Sequence, residues 1–323
     1  SEEAVVAATD AASIYEVPAR LGAQGLDNLL LRYLHLEAGP LALEGWEALV
    51  RRMRNPAGRV RIGVVGKYVE YEDSYKSLKE ALLHGALAHD WELEVDWIES
   101  QELEAGAEQL ERRLAGVDGI LVPGGFGNRG IAGMLLAIEY ARTRGVPFFG
   151  ICLGMQCAVI EFARHAAGLP AADSSEFDPA TPHRVIYKLR ELRGVEEMGG
   201  TMRLGAWPCR LEPGSRAFAA YGRPEISERH RHRYEYNREY EPQLVGAGLR
   251  ITGASPDGAY VEIVEIEDHP WFVGCQFHPE FQSRPLEPHP LFRAFAAAAH
   301  AHRAARERDS EPESTFHRSV RRA

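Results

Sequence analysis

Short apolar runs alternate with amphipathic stretches along the middle of this chain. From Arg59, RIGVVGKY is a compact run with β-branched residues, the pattern of a buried strand. SYKSLKEALLHGALAH then carries apolar positions at helical spacing. ELEVDWIES reads as a second strand and AEQLERRLAG as a helix. DGILVPGG and VPFFGIC are further strands, followed by the helices IAGMLLAIEYARTRG and LGMQCAVIEFARHAAG. Strand alternating with helix predicts an α/β fold built on a doubly wound, mostly parallel sheet. Beyond Gly168 the alternation weakens. HRVIYKL, TMRLGAWPCRL, YEYN, LRITGAS, YVEIVEI and WFVGCQF predict strands joined by turns, an antiparallel-rich second half. LFRAFAAAAHAHRAARER predicts a closing helix.

Residues 1–58 read as an appendage. LDNLLLRYLHLEA and LEGWEALVRRMRN are amphipathic helices, the second closed by Asn55-Pro56, and two such helices cannot build a core of their own. Residues 59–302 form the main domain, and the polar tail at 303–323 is expected to be disordered. The chain lacks an initiator Met and opens as if in the middle of a longer protein, so a fragment is expected.

Composition narrows the function. The 323 residues include 37 Lys+Arg against 47 Asp+Glu, a formal net charge of −10. That acidic balance argues against a protein that coats nucleic acid. Apolar runs stop short of the roughly 20 residues a spanning helix needs, so no membrane partner is expected. Residues 1–20 carry no signal-peptide pattern. The cysteines, Cys152, Cys157, Cys209 and Cys275, contain no C-x-x-C pair. No metal site is expected, and reduced thiols in a cytoplasmic setting are.

The chemistry concentrates in three segments. In FFGICLGMQ a strand runs into Gly150-Ile151-Cys152-Leu153-Gly154 and a helix begins at once, the layout of a nucleophile elbow. Flanking glycines tolerate unusual dihedrals, and a helix N-terminus favours a thiolate. The plain alternative is a small buried cysteine. In CQFHPE, His278 and Glu280 lie two residues apart at a strand end, with Pro279 fixing the backbone between them. A base oriented by a carboxylate is what a cysteine nucleophile requires, although H-P-E alone fits a surface turn. Val122-Pro123-Gly124-Gly125-Phe126-Gly127 leaves a third strand end, where a backbone N–H can meet an oxyanion, or where any tight turn can sit. No P-loop pattern occurs in the chain.

In the order PGGFG, GICLGMQ, FHPE, these segments resemble the class I glutamine amidotransferases. IGVVGKYVEYEDSYKSLKEALLHG, GGTMRLG, ERHRHRYEYN and FHPEFQSRP are similar to the CTP synthase branch of that family, and SIYEVPARLGAQGLDNLL to the end of a synthetase domain and its linker. The resemblance covers about residues 1 to 300 but only the C-terminal half of the usual protein. It implies that Cys152 attacks the side-chain amide of L-glutamine to form a thioester, that His278 carries the proton and that Glu280 orients it. It assigns the oxyanion to the N–H groups of Gly125 and Leu153. The substrate pocket would comprise these with Gly154, Met155, Gln156, Glu176 and Arg233. A carboxylate suits an ammonium and a guanidinium a carboxylate. Phe126 and Arg129 correspond to positions near the activator GTP.

The same resemblance implies no cofactor in this chain and Mg-ATP in a separate synthetase domain that binds UTP and ATP. The full enzyme is expected to be a homo-tetramer in the cytoplasm, and this chain at most a glutaminase. Competing readings are the glutaminase part of a GMP synthase-like enzyme and a non-catalytic scaffold. Arg229-His230-Arg231-His232-Arg233-Tyr234 also admits a nucleic-acid patch, a metal-binding tract or a solvated basic loop. The stretch between Phe177 and Gly199 is shorter than the family pattern.

Overall fold

The structure is a computed structural model that describes residues 4–70, 72–188 and 202–310. Three short helices open the chain, α1 (Val17–Gly22), α2 (Leu26–Leu34) and α3 (Glu44–Arg54). The expected appendage docks through a small apolar cluster of Tyr15, Leu49 and Leu87. Tyr15 stacks on Trp46 with ring centroids 5.9 Å apart. Leu30, Tyr33, Leu34, Leu36 and Leu41 stay exposed.

The expected alternation follows: β1 (Gly58–Gly66), α4 (Lys76–Leu87), β2 (Trp91–Glu99), α5 (Ala107–Leu114), β3 (Gly119–Val122), α6 (Ile131–Arg144), β4 (Phe148–Ile151) and α7 (Leu153–His165). The second half runs β5 (Ala172–Ser174), β6 (His183–Lys188), β7 (Arg203–Leu211), α8 (Arg216–Tyr221), β8 (Glu225–His232), β9 (Tyr234–Tyr236) and α9 (Glu241–Gly246). It closes with β10 (Leu249–Ala254), β11 (Val261–Ile266), β12 (Phe272–Cys275) and α10 (Pro290–Ser310).

The large sheet has nine strands in the order β2-β1-β3-β4-β12-β11-β10-β7-β8, and β5, β6 and β9 make a small second sheet. Its first five strands are parallel to one another, and from β12 onward every neighbour is antiparallel. Apolar side chains line both faces, one packed under α6 and α7 and the other under α4 and α10, so the inner parallel strands β3, β4 and β12 are continuous hydrophobic runs. Strand β12 decides the function. It comes late in the chain yet inserts beside β4 in parallel, with Gly274 opposite Gly150 and Cys275 opposite Ile151. The loops that leave β4 and β12 therefore emerge side by side at the carboxyl edge of the sheet, where α/β folds place ligands.

One expectation needs correction. The tail set to start at 303 is helical through Ser310, because α10 continues onto a buried acid: Arg306 Nη2 lies 2.7 Å and Arg303 Nη1 3.6 Å from the fully buried carboxylate of Asp118. The solvated-loop alternative for the basic run also gives way: Arg229 to His232 end strand β8, and Arg233 follows it. Along β8, exposed and buried positions alternate strictly, turning Arg229 and Arg231 to solvent and His230 and His232 inward. The expected tail beyond 310 and the GGT of GGTMRLG lie outside the described residues, as do residues 189–198 of the shortened stretch before it.

Close packing at the β4–α7 junction yields a test of this architecture. A Cβ built on Gly154 would lie 2.0 Å from the Val122 carbonyl oxygen, whereas one on Gly246 meets nothing within 4 Å. Gly154→Ala is expected to cost about 2 kcal/mol or more in urea unfolding. Gly246→Ala should stay within about 1 kcal/mol of the parent. Equal effects would contradict the packing described here.

Candidate active site

Cys152 sits between β4 and α7 with φ 51° and ψ −100°, one of three non-glycine residues with positive φ among those described. Such a conformation costs on the order of 1–3 kcal/mol and persists only where the surroundings enforce it. Here they do. The Cys152 N–H donates to the Cys275 carbonyl at 2.7 Å, and its own carbonyl accepts from the Gln156 N–H at 3.1 Å. The neighbouring glycines serve space rather than dihedral freedom. Gly150 and Gly154 are absent from the positive-φ glycines. A Cβ on Gly150 would lie 2.7 Å from the Gly154 carbonyl carbon, so strand end and helix start press together there.

The base arrives on the loop after β12. His278 donates its N–H to the Arg229 carbonyl on β8 at 2.8 Å, and its Nδ1 lies 2.8 Å from Glu280 Oε1. That partner assigns the Nδ1 proton, leaving Nε2 for the sulfur. Phe281 stacks on the imidazole at 5.4 Å. Burial alone would lower the pKa of this ring. The charge of Cys152 and hydrogen bonding to Cys152 and Glu280 outweigh it and raise the value to about 10. His230, 3.6 Å from the buried Glu262 carboxylate, and His232 go the other way, to about 2 and about 3, mainly by desolvation. Both are therefore neutral, and among the described residues no group of three or more His, Cys, Asp or Glu is placed to hold a metal ion.

The third segment closes over the sulfur. A Cβ on Gly124 would lie 2.8 Å from His278 Cε1 and 3.6 Å from Cys152 Cβ, so only glycine fits. Gly125 packs on Leu153 and Lys67, and the Gly127 N–H donates to Glu176 Oε1 at 3.0 Å. Gln156 Nε2 donates to the Tyr234 carbonyl at 2.9 Å and to Gln276 Oε1 at 3.1 Å, and Gln276 Nε2 approaches the Cys152 sulfur at 3.6 Å. Desolvation raises the pKa of the Tyr234 phenol, with Glu176 adding to the shift and the neighbouring Arg233 opposing it. Gly154 and Met155 are buried in the first turn of α7. A cleft of about 410 Å³ exposes Cys152, His278, Glu280, Gly125 and Phe126, walled by Tyr68, Tyr75, Arg231 and Phe281. Gln156, Glu176 and Arg233 lie outside this lining.

Phe126 is 41% exposed and lies under the Arg231 guanidinium at 5.6 Å. Arg129 lies over the Tyr68 ring at 5.5 Å and bonds to Glu99 at 2.9 Å, to Gln101 at 3.1 Å and to the Lys67 carbonyl. Sequence reasoning missed Gln276, Lys67 and Arg231. Gln276 stands inside the CQFHPE segment, but a neutral side chain on a strand end gives no signal until its neighbour across the sheet is known.

A family model described as glutamine amidotransferase class-I matches residues 70–298. The CTP synthase of Acidobacterium capsulatum is 68% identical over 299 residues, 93% of this chain and 54% of that protein. That of Koribacter versatilis is 62% identical over 324 residues, 99% of this chain and 58% of that protein. The chain thus spans little more than half the length of these curated relatives. A solved structure described as the Trypanosoma brucei CTPS glutaminase domain with bound acivicin is 41% identical, covers 75% of this chain and 94% of that one, and superposes with a TM-score of 0.70.

The coupling of His278 to Cys152 can be read by NMR. With its pKa raised from the ordinary 6.5 to about 10, the folded state holds this proton more tightly than the unfolded chain does. The stabilisation is therefore fully present below pH 6.5 and is lost as pH rises through about 10. In Cys152→Ala the burial remains while the raising charge is gone, so the titration midpoint should fall by roughly one to three units. A midpoint still near 10 would place the cause elsewhere.

Proposed function

The chain belongs to the class-I glutamine amidotransferase family, and we propose that it hydrolyses the side-chain amide of L-glutamine through Cys152, His278 and Glu280. The observation that supports this best is the insertion of β12 beside β4, which sets a carboxylate-oriented imidazole against a strained cysteine at a helix start.

The Cys152 sulfur, its proton taken up by His278 Nε2, bonds to the amide carbon of glutamine. The carbonyl electron pair moves to oxygen, where the N–H groups of Gly125 and Leu153 hold it. The tetrahedral species collapses by breaking its C–N bond. The nitrogen takes the proton from His278 and leaves as ammonia, and a glutamyl thioester remains on Cys152. Water, deprotonated by His278, attacks the thioester carbon; glutamate departs and the sulfur regains a proton. Glu280 fixes the tautomer and stabilises the imidazolium. Glu176 and Arg233 offer opposite charges to the ammonium and carboxylate of the substrate backbone, with Gly154, Met155 and Gln156 forming the floor.

The kinship with CTP synthases extends the proposal beyond this chain. The ammonia would aminate UTP at C4 in an amidoligase domain that carries Mg-ATP, and GTP would activate glutamine hydrolysis from a site that includes Phe126 and Arg129. A cytoplasmic homo-tetramer is the assembly proposed for the whole enzyme. Among the described residues no helix is long and apolar enough to cross a membrane.

Purified chain mixed with millimolar L-glutamine should release glutamate, faster with GTP. Cys152→Ala should release none, and His278→Asn should lower kcat by about 10⁴-fold. Glutamate release by Cys152→Ala at the parental rate would refute the nucleophile. No release by the parent, even with an added amidoligase domain, UTP and Mg-ATP, would favour the scaffold reading.

A further inference from the structure

Lys67, immediately after β1, is buried, with 2% of its surface exposed. Lysine is almost never buried unless its charge is satisfied, since an unpaired ammonium in an apolar interior costs far more than folding can supply. Its partners here are two successive carbonyl oxygens of the oxyanion loop. Nζ donates to Phe126 O at 3.2 Å and to Gly127 O. Desolvation, the leading effect, lowers its pKa, opposed by the fields of Cys157 and Glu176.

One peptide unit is gripped at both ends. The Phe126 carbonyl meets Lys67, and the Gly127 N–H of the same unit meets Glu176 at 3.0 Å. Lys67 is itself pinned. Its N–H donates to the Tyr75 hydroxyl at 3.1 Å, and its carbonyl accepts from Arg129, which is anchored on Glu99 and Gln101. Upstream, the loop is tied to the sheet where Val122 pairs with Gly150. Between these anchors run only Pro123, Gly124 and Gly125, and proline fixes one of their torsions.

Resting on the glutaminase reading above, we propose that Lys67 is a positioning residue. It clamps the Phe126–Gly127 peptide against Glu176 and thereby holds the Gly125 N–H where the glutamine oxyanion develops. An apolar side chain of similar length fills the same space without the cost of a buried charge, so lysine at this position serves geometry rather than stability. The Arg129 contact acquires a role in the same scheme, as a brace for the lysine backbone.

Lys67→Met tests this with two readouts. Glutamine hydrolysis should lose about 10²-fold in kcat with KM shifted less than about threefold, and Tm should stay unchanged or rise. Amide hydrogen exchange at Gly127 should quicken by about tenfold or more, with β1 and α7 unaffected. Parental kcat would overturn the proposal, as would a kcat loss with Gly127 protection intact. If the parent chain hydrolyses no glutamine, the glutaminase reading fails on its own. The exchange comparison then decides the clamp alone: faster exchange at Gly127 supports it and unchanged exchange refutes it. Should Lys67→Met not fold, Lys67→Gln, too short to reach both carbonyls, is judged by the same two measurements.

Discussion

Everything at the site depends on the backbone of Cys152 being held in the left-handed region between β4 and α7. That single turn swings the sulfur out of the sheet and starts a helix beneath it. The conformation is disfavoured for any residue with a Cβ and has to be enforced from outside. Three features enforce it: the Cys275 carbonyl that takes the Cys152 N–H, the carbonyl-to-amide bond to Gln156, and the absence of side chains at Gly150 and Gly154. Two of them lie on the elbow itself. The third depends on β12 threading back beside β4, so the same pairing that supports the strain also delivers His278 and Glu280.

Burial acts on the histidines around this elbow with opposite results, and the difference is a matter of partners. His230 and His232 turn inward from β8 and contact each other at 3.1 Å, and desolvation leaves both neutral. Close by, Arg203 and Glu262 form a buried pair at 2.7 Å. The β8 backbone serves the site through its carbonyls: Arg229 takes the His278 N–H, and Arg231 presents its oxygen 3.9 Å from the Cys152 sulfur. His278 has the Cys152 sulfur and the Glu280 carboxylate to offset its desolvation, so it keeps its proton. The lysine clamp is the counterpart on the opposite wall, where a buried cation fixes a loop.

Much of this was legible in the chain. The alternating strands and helices from Arg59 to Gly168 followed from periodicity, because a parallel sheet covered on both faces writes its strands as unbroken apolar runs. Cys152, His278 and Glu280 stood out by their local segments. Their convergence did not, since nothing local in WFVGCQF says that this strand crosses to pair with β4. The run ERHRHRYE left several readings open for a similar reason. Strict alternation of two basic residue types looks uniformly polar in sequence, and only the buried face of β8 separates neutral histidines from solvated arginines. Lys67 was hidden inside a strand end, because a lysine is read as surface until a cavity with two carbonyls is found around it. The closing helix was legible to Arg308, but the tail boundary at 303 cut into it because these last turns are polar, and Asp118, the acid that binds them, lies far away in sequence.

The central claim is that a covalent glutamyl intermediate forms on Cys152. Rapid acid quenching of the protein during turnover of L-glutamine, followed by intact-mass and peptide mapping, tests it most directly. The account predicts a glutamyl adduct on the peptide carrying Cys152 and none in Cys152→Ala. Glutamate production without that adduct, or an adduct on Cys157, Cys209 or Cys275, would contradict it.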